Sequence, residues 1–304
     1  MSAERRSGAT QPKPHEPRAG LLRRALYSAY WALPHTALGR VAGRVATATR
    51  PRPLVQAALR AWTRIERIEL DDFEPGPYAS VHELFLRRLR PGRRPIREGV
   101  VSPVDGRVIA TGQVRVGRVV SIKGLPLTLE RVVNGRSHDL SLTPFEGGVF
   151  VVLFLSPRGY HRIHAPVTGM LRDVRWIPGR YYPQNEKALA LISRVYEQNE
   201  RATLRLATAD GEVLLVMVAA SLVGGIHVAG LSRPDFTRTA PRAIDRAVAR
   251  GDELGHFAFG STVVLLFPPS LGTGLVVREG DDVRMGETLL VPPAVGQGDA
   301  ADSR

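Results

Sequence analysis

Three short stretches of this 304-residue chain carry side chains able to act together as acid, base and nucleophile. The first, Ser102-Pro103-Val104-Asp105-Gly106, sets a carboxylate at a strand-to-turn junction, although Asp-Gly is also ordinary turn vocabulary. The second, Ser156-Pro157-Arg158-Gly159-Tyr160-His161-Arg162-Ile163-His164, follows an apolar run and brings two imidazoles three positions apart. Such a pair can ligate a metal, but no further His, Asp or Glu cluster nearby completes a ligand set. A metal site is therefore not expected, and a catalytic or substrate-facing pair is the better reading. The third stretch, Phe259-Gly260-Ser261-Thr262, supplies a hydroxyl beside a glycine. Separately these signals are weak. Together they hold the carboxylate, imidazole and hydroxyl of an activated serine nucleophile. Ser261 lies outside the Gly-x-Ser-x-Gly elbow of α/β-hydrolases, so a different scaffold must present it.

That scaffold reads as α+β: a β-rich barrel or sandwich catalytic core behind an N-terminal amphipathic helical region. Beyond residue 98, short Val/Ile-rich runs such as VFVVLFL, EVLLVMVAA and STVVLLF alternate with Gly-bearing turns. Helices in this half are expected only around Pro241–Arg250 and Asn185–Val195. Two segments, APVTGMLRDVRWIPG and LGTGLVVREGDDVRMGETLL, resemble the strand-and-turn units of biotinyl or lipoyl carrier barrels. Met285-Gly286 stands where such a carrier displays its lysine, which argues against a swinging-arm function. The expected divisions are a disordered tail over 1–20, an amphipathic membrane-associating region over 21–98, the catalytic domain over 99–293 and a tail over 294–304.

Charge and aromatics give the N-terminal region its expected role. The net charge is +13, and residues 1–100 hold 19 Arg and Lys against nine Asp and Glu. A basic arm on a near-neutral body attracts a polyanion, either nucleic acid or an anionic membrane face. Tyr30, Trp31 and several leucines share this region with Arg23, Arg24, Arg40 and Arg44, the mixture an interface-lying helix needs. No RNA-binding pattern accompanies them, so nucleic acid is not an expected partner. The longest apolar run, Val213–Ile226, is too short to span a bilayer and contains two glycines, so buried strands are expected there. Cysteine is absent, which excludes thiolate nucleophiles and disulfide frameworks.

At this point the chain resembles the phosphatidylserine decarboxylase family, whose hallmarks are an Asp-Gly turn, a Tyr-His-Arg-x-His stretch and a Gly-Ser-Thr site near the C-terminus. HELFLRRLRPGRRPI, Asn199-Glu200-Arg201, VAASLVGGI and RGDELGHFAFGST extend the likeness from about Leu21 to Phe267. The resemblance implies a pyruvoyl enzyme that cuts its own chain between Gly260 and Ser261. Asp105, His164 and Ser261 would form the maturation triad, leaving Ser261 as a covalent pyruvoyl group that forms a Schiff base with phosphatidylserine. His161 would meet the substrate carboxylate or return a proton. The hydrophobic stretch from Ile122 to Glu130 would line the lipid entry. The implied product is phosphatidylethanolamine with CO2. The implied setting is a homodimer of two-chain protomers, peripheral on the cytoplasmic face of a bacterial membrane. Two other readings stand beside it: a self-processing decarboxylase for another serine-headed lipid, and a non-enzymatic binding barrel.

Overall fold

The computed structural model describes residues 41 and 43–291, apart from 123, 138, 185–188, 190, 191, 193, 221–224, 232–239, 259 and 260. The expected tails, residues 21–40 of the amphipathic region and Gly260 lie outside the described residues.

Strands dominate from residue 100 onward. In chain order they are β1 (Val100–Val101), β2 (Gly106–Gln113), β3 (Val119–Ile122), β4 (Leu125–Thr128), β5 (Val149–Leu155), β6 (Arg162–His164), β7 (Gly169–Ile177) and β8 (Arg201–Thr208). They continue with β9 (Gly211–Ala219), β10 (Ile226–Val228), β11 (Arg242–Val248), β12 (Glu253–Phe257), β13 (Ser261–Phe267), β14 (Gly274–Leu275), β15 (Asp282–Val283) and β16 (Thr288–Val291). Eight form one sheet in the order β11-β7-β8-β9-β13-β5-β2-β15, with antiparallel neighbours throughout. Smaller sheets β10-β12-β6 and β1-β16-β14 complete the layers, and β3-β4 is a separate hairpin.

Sequence patterning sets each strand's place. The continuous apolar runs of β5, β9 and β13 are buried on both faces and occupy the middle of the large sheet. In β8 the pattern alternates. Ala202, Leu204 and Leu206 enter the main core, while Arg201 and Thr203 face the Leu129–Asn134 helix. Thr203 Oγ1 donates to the Val133 carbonyl at 2.8 Å and Arg201 Nε donates to that of Val132 at 2.9 Å. Those bonds satisfy carbonyls at the helix's C-terminal end that have no partner within it. The main core includes Leu153, Leu215, Met217, Val263 and Leu265 of the large sheet together with Ile163, Val228, Leu254 and Phe257 of the small one.

Residues 242–248 form β11, which corrects the expectation of a helix over Pro241–Arg250. Ala and Arg favour helix, but β7 has an open edge there, and tertiary pairing outweighs a weak local preference. The ladder shifts register between Ala243 and Arg246, around Asp245 at φ 48°, and Asp245 pairs across the strands with Arg172 at 3.1 Å. Charge on the exposed edge strand also discourages further pairing. Most of the expected Asn185–Val195 helix lies outside the described residues; Leu189 within it is helical, and a separate short helix runs over Val195–Gln198.

Before the strands lies the Arg52–Ile65 helix, within the region read as amphipathic. A second helix covers only Val81–Phe85, shorter than the HELFLRRLRPGRRPI pattern implies. Ser80 caps it through the Glu83 amide, and the Glu83 carboxylate takes the Ala79 amide in return. After Phe85 the chain turns extended, bridging Leu89 to Phe73, so the later arginines leave the helix.

Asn199 anchors the middle of the sheet. Its Oδ1 accepts the Tyr182 amide, while Nδ2 donates to the carbonyls of Tyr182 and Ala219. The side chain is fully buried. Asn199→Ala strands these groups without partners and is expected to cost roughly 2–4 kcal/mol. Urea denaturation measures the loss, and an unchanged midpoint would contradict it.

Candidate active site

Ser261 opens β13 at the centre of the large sheet, opposite Leu155 on one side and Ala219 on the other. Strand alternation sends its side chain to the face that carries Val263, Leu265 and Phe267 into the core. The residue is 0 % exposed, and its hydroxyl has no hydrogen-bond partner among the described residues. Thr262 points the other way, where its hydroxyl donates to Gln184 Oε1 at 2.6 Å. Gln184 Nε2 and Asn199 Nδ2 both donate to the Ala219 carbonyl, fixing the strand beside Ser261.

Both histidines are buried, at 0 % exposure for His161 and 8 % for His164. His161 Nδ1 lies 3.1 Å from the Gly159 carbonyl, and His164 Nδ1 lies 2.7 Å from that of Gly251. A carbonyl only accepts, so each Nδ1 carries the proton and each neutral ring presents a bare Nε2. For His164 that lone pair meets the Tyr160 hydroxyl at 2.8 Å. For His161 it meets no partner among the described residues. Burial pushes the His161 imidazole down to about 3, with the Arg87 charge acting in the same direction. Burial also lowers His164, partly offset by the Gly251 carbonyl, Glu253 and Asp105. Both rings are therefore neutral at physiological pH.

Asp105 sits in the turn after β1. Arg94 grips it through Nε at 3.0 Å and Nη2 at 2.6 Å, and the Met285 amide donates to it at 2.8 Å. The same guanidinium reaches Asp72 at 2.7 Å. Arg94 stays more firmly protonated than usual, the bonds and charges of Asp105 and Asp72 outweighing the cost of its burial. Met285 belongs to the tip where a carrier barrel would show its lysine; here that tip serves the carboxylate.

These residues converge through the backbone more than through their side chains. The His164 amide donates to the Pro103 carbonyl at 3.0 Å, two residues before Asp105. Phe257, four residues before Ser261, donates its amide to the His161 carbonyl at 3.1 Å. Yet the expected carboxylate–imidazole–hydroxyl chain is not formed among the described residues. Asp105 holds Arg94 and Met285, His164 holds Tyr160 and Gly251, and Ser261 holds nothing. Sequence reasoning quoted Tyr160 without giving it a role, and it missed Arg94 and Gln184, whose spacing from the motifs carries no local pattern. An open cavity of about 690 Å3 reaches this region, lined by Asp105, Tyr160, Gly159, Arg94 and Phe154 among others.

Comparison with known sequences sets this chain among the decarboxylases. A profile described as phosphatidylserine decarboxylase matches residues 81–291. A phosphatidylserine decarboxylase proenzyme of Anaeromyxobacter sp. (strain K) is 36% identical over 276 residues, covering 85% of this chain and 97% of the relative. The proenzyme of Myxococcus xanthus (strain DK1622) is also 36% identical, over 270 residues, covering 85% and 95%. That of Brevibacillus brevis is 33% identical over 274 residues, covering 86% and 96%. The chain belongs to the phosphatidylserine decarboxylase family.

Arg94 is only 6 % exposed and depends on both of its acids. Asp105→Asn removes one ion pair and leaves a mostly buried cation half-compensated. The expected loss is about 2 kcal/mol, between values for exposed and buried pairs. Chemical denaturation of this variant beside Asp72→Asn measures it, and a loss confined to Asp72→Asn would contradict the assignment.

Proposed function

We propose that the chain is a self-processing proenzyme whose mature form converts phosphatidylserine to phosphatidylethanolamine and CO2. The observation that carries the reading is the presence, in a member of this family, of a buried Ser261 hydroxyl without a partner among the described residues together with two neutral, buried histidines. A buried hydroxyl that has no hydrogen bond among the described residues need not break one before its proton moves.

In the proposed maturation, His164 takes the Ser261 proton after exchanging its Tyr160 partner for the serine. Asp105 supports the positive charge that results. The Ser261 oxygen attacks the Gly260 carbonyl, and the peptide becomes an ester as the nitrogen is released. Elimination across the Cα–Cβ bond of residue 261 frees the Gly260 carboxylate and leaves dehydroalanine. Hydrolysis with loss of ammonia then leaves a pyruvoyl end on the 261–304 fragment. Residues present at the site fit that group: an apolar wall from Leu155 and Ala219, and an unpartnered His161 Nε2. Once formed, the ketone supplies the electron sink for decarboxylation. His161, once its bare Nε2 has taken a proton from the substrate's ammonium group, binds the substrate carboxylate or returns that proton, and Gln184 and Asn199 hold the neighbouring strand in place.

The proposed location is peripheral, on the cytoplasmic membrane face. Leu54 and Ile65 of the Arg52–Ile65 helix are exposed at 67% and 76%, beside Arg52, Arg60 and Arg64. Exposed aliphatics among arginines suit a helix lying on anionic lipid. Among the described residues no helix is long and apolar enough to cross a membrane.

Sodium cyanoborohydride with phosphatidylserine should attach the lipid to the fragment beginning at residue 261, while Ser261→Ala stays one inactive chain near 33.2 kDa. Lipid trapped on the larger fragment, or turnover by Ser261→Ala, contradicts the reading. pH gives a second check. His164 must be neutral to accept a proton, and burial lowers its pKa, so its active form persists into more acidic solution. Self-cleavage should stay level as pH falls through about 6.5, the ordinary histidine value, and decline only below it. A decline centred at or above that value overturns His164 as the base.

A further inference from the structure

A side chain packed against the His161 ring belongs to the HELFLRRLRPGRRPI stretch but has no role in the site described above. Phe85, the last residue of the Val81–Phe85 helix, sets its ring 3.8 Å from the imidazole centroid to centroid, tilted by 31°. On Phe85 in turn lies Trp62 of the Arg52–Ile65 helix, 6.3 Å away and nearly parallel at 12°. His161 is held at two further points, one on its ring and one on its backbone. Gly159 accepts its Nδ1 proton, and the Phe257 amide holds its own carbonyl. The Gly159 carbonyl is itself fixed by Arg87 Nη2 at 2.8 Å, with that guanidinium 4.2 Å from the Phe73 ring centroid.

A histidine ring has two torsions to fix, and one hydrogen bond at Nδ1 leaves it free to swing about that bond. A flat aromatic face removes that freedom without offering a competing donor or acceptor. It also keeps water from the ring face. Phe85 thus does two things a leucine of similar volume does not: it defines the plane of the imidazole and keeps Nε2 aimed while unpartnered. Trp62 backs that plane from a helix whose outer residues, Leu54 and Ile65, are exposed.

We propose that the Trp62–Phe85 ring stack is a positioning device for His161 in decarboxylation, distinct from the self-cleavage machinery. The proposal rests on the reading of His161 as the group that serves the substrate. Arg87 is the charged group that faces this imidazole, and it acts with burial to keep the ring neutral. Loosening the stack lets water reach the ring, which weakens the burial effect and returns protonation toward the ordinary range.

The test uses the full-length protein and four variants: Phe85→Leu, Phe85→Tyr, Trp62→Leu and Trp62→Phe. Intact mass reads self-cleavage, and turnover of phosphatidylserine in mixed micelles gives kcat, KM and their pH dependence. Phe85→Leu should cleave itself, keep KM within about twofold and lose about tenfold or more in kcat. Its kcat profile should also acquire an ionisation near pH 6.5 that the native protein lacks. Phe85→Tyr should keep the native profile. Trp62→Leu should change kcat in the same direction by less, and Trp62→Phe should restore it. Should Phe85→Leu fail to fold, Trp62→Leu decides, because Trp62 is only half-buried. A native kcat and pH profile in a folded, leucine-substituted variant overturns the proposal. His161→Ala separates the two levels. If it turns over normally, the reading of His161 fails; if it is dead while both leucine variants are native, only the positioning role fails.

Discussion

A hydroxyl group with no hydrogen bond among the described residues, sealed at the start of a seven-residue buried strand, is the feature around which this protein is arranged. Leaving such a group unpaired costs about 1–3 kcal/mol. The sheet absorbs that cost by pairing Ser261 on both sides, through β5 and β9, and by burying the six residues that follow it. Nearly everything else at the site keeps the strand where it is. Gln184 and Asn199 secure Ala219, Gln184 also takes the Thr262 hydroxyl, and the backbone of Phe257 ties the approach to Ser261 onto His161. A partnerless polar atom held this firmly marks a place where reactivity outweighs local stability.

Arginine does much of the holding, and mostly by turning inward. Arg87 donates to the carbonyls of Leu84, Arg158 and Gly159, Arg90 to that of Phe73, and Arg94 to two aspartates. Arg201, fully buried, caps the ends of two helices through the carbonyls of Val132, Glu197 and Asn199. These cations sit among carbonyl dipoles and carboxylates, where a forked, permanently charged donor satisfies several acceptors at once. The excess charge of residues 1–100 is therefore divided. Part of it, in Arg87, Arg90 and Arg94, is turned inward to brace the fold.

Much of the chemistry was legible in the sequence because it is written in short motifs. Asp105-Gly106, the Tyr160–His164 stretch and Gly260-Ser261-Thr262 announce residue types, and the apolar runs around them announce the central strands. Long-range pairing was not legible. Nothing local says that Arg94 rather than His164 will hold Asp105, or that Tyr160 will take the His164 lone pair. Those contacts are chosen by which turns the folded sheets bring together. The stretch Pro241–Arg250 shows the same limit in the backbone. Its residues favour a helix, but the open edge of β7 claims it as a strand. Phe85 reads in the sequence as one more apolar residue of an amphipathic helix, and only the stacked rings give it a relation to the imidazole.

The central claim is that Ser261 is consumed to make the reactive group. It is tested most directly by the exact mass of the C-terminal fragment of the purified protein. The account predicts residues 261–304 with a pyruvoyl group in place of the serine, blocked to stepwise N-terminal sequencing. An active protein that remains a single chain, or a fragment that still begins with an intact serine, would contradict it.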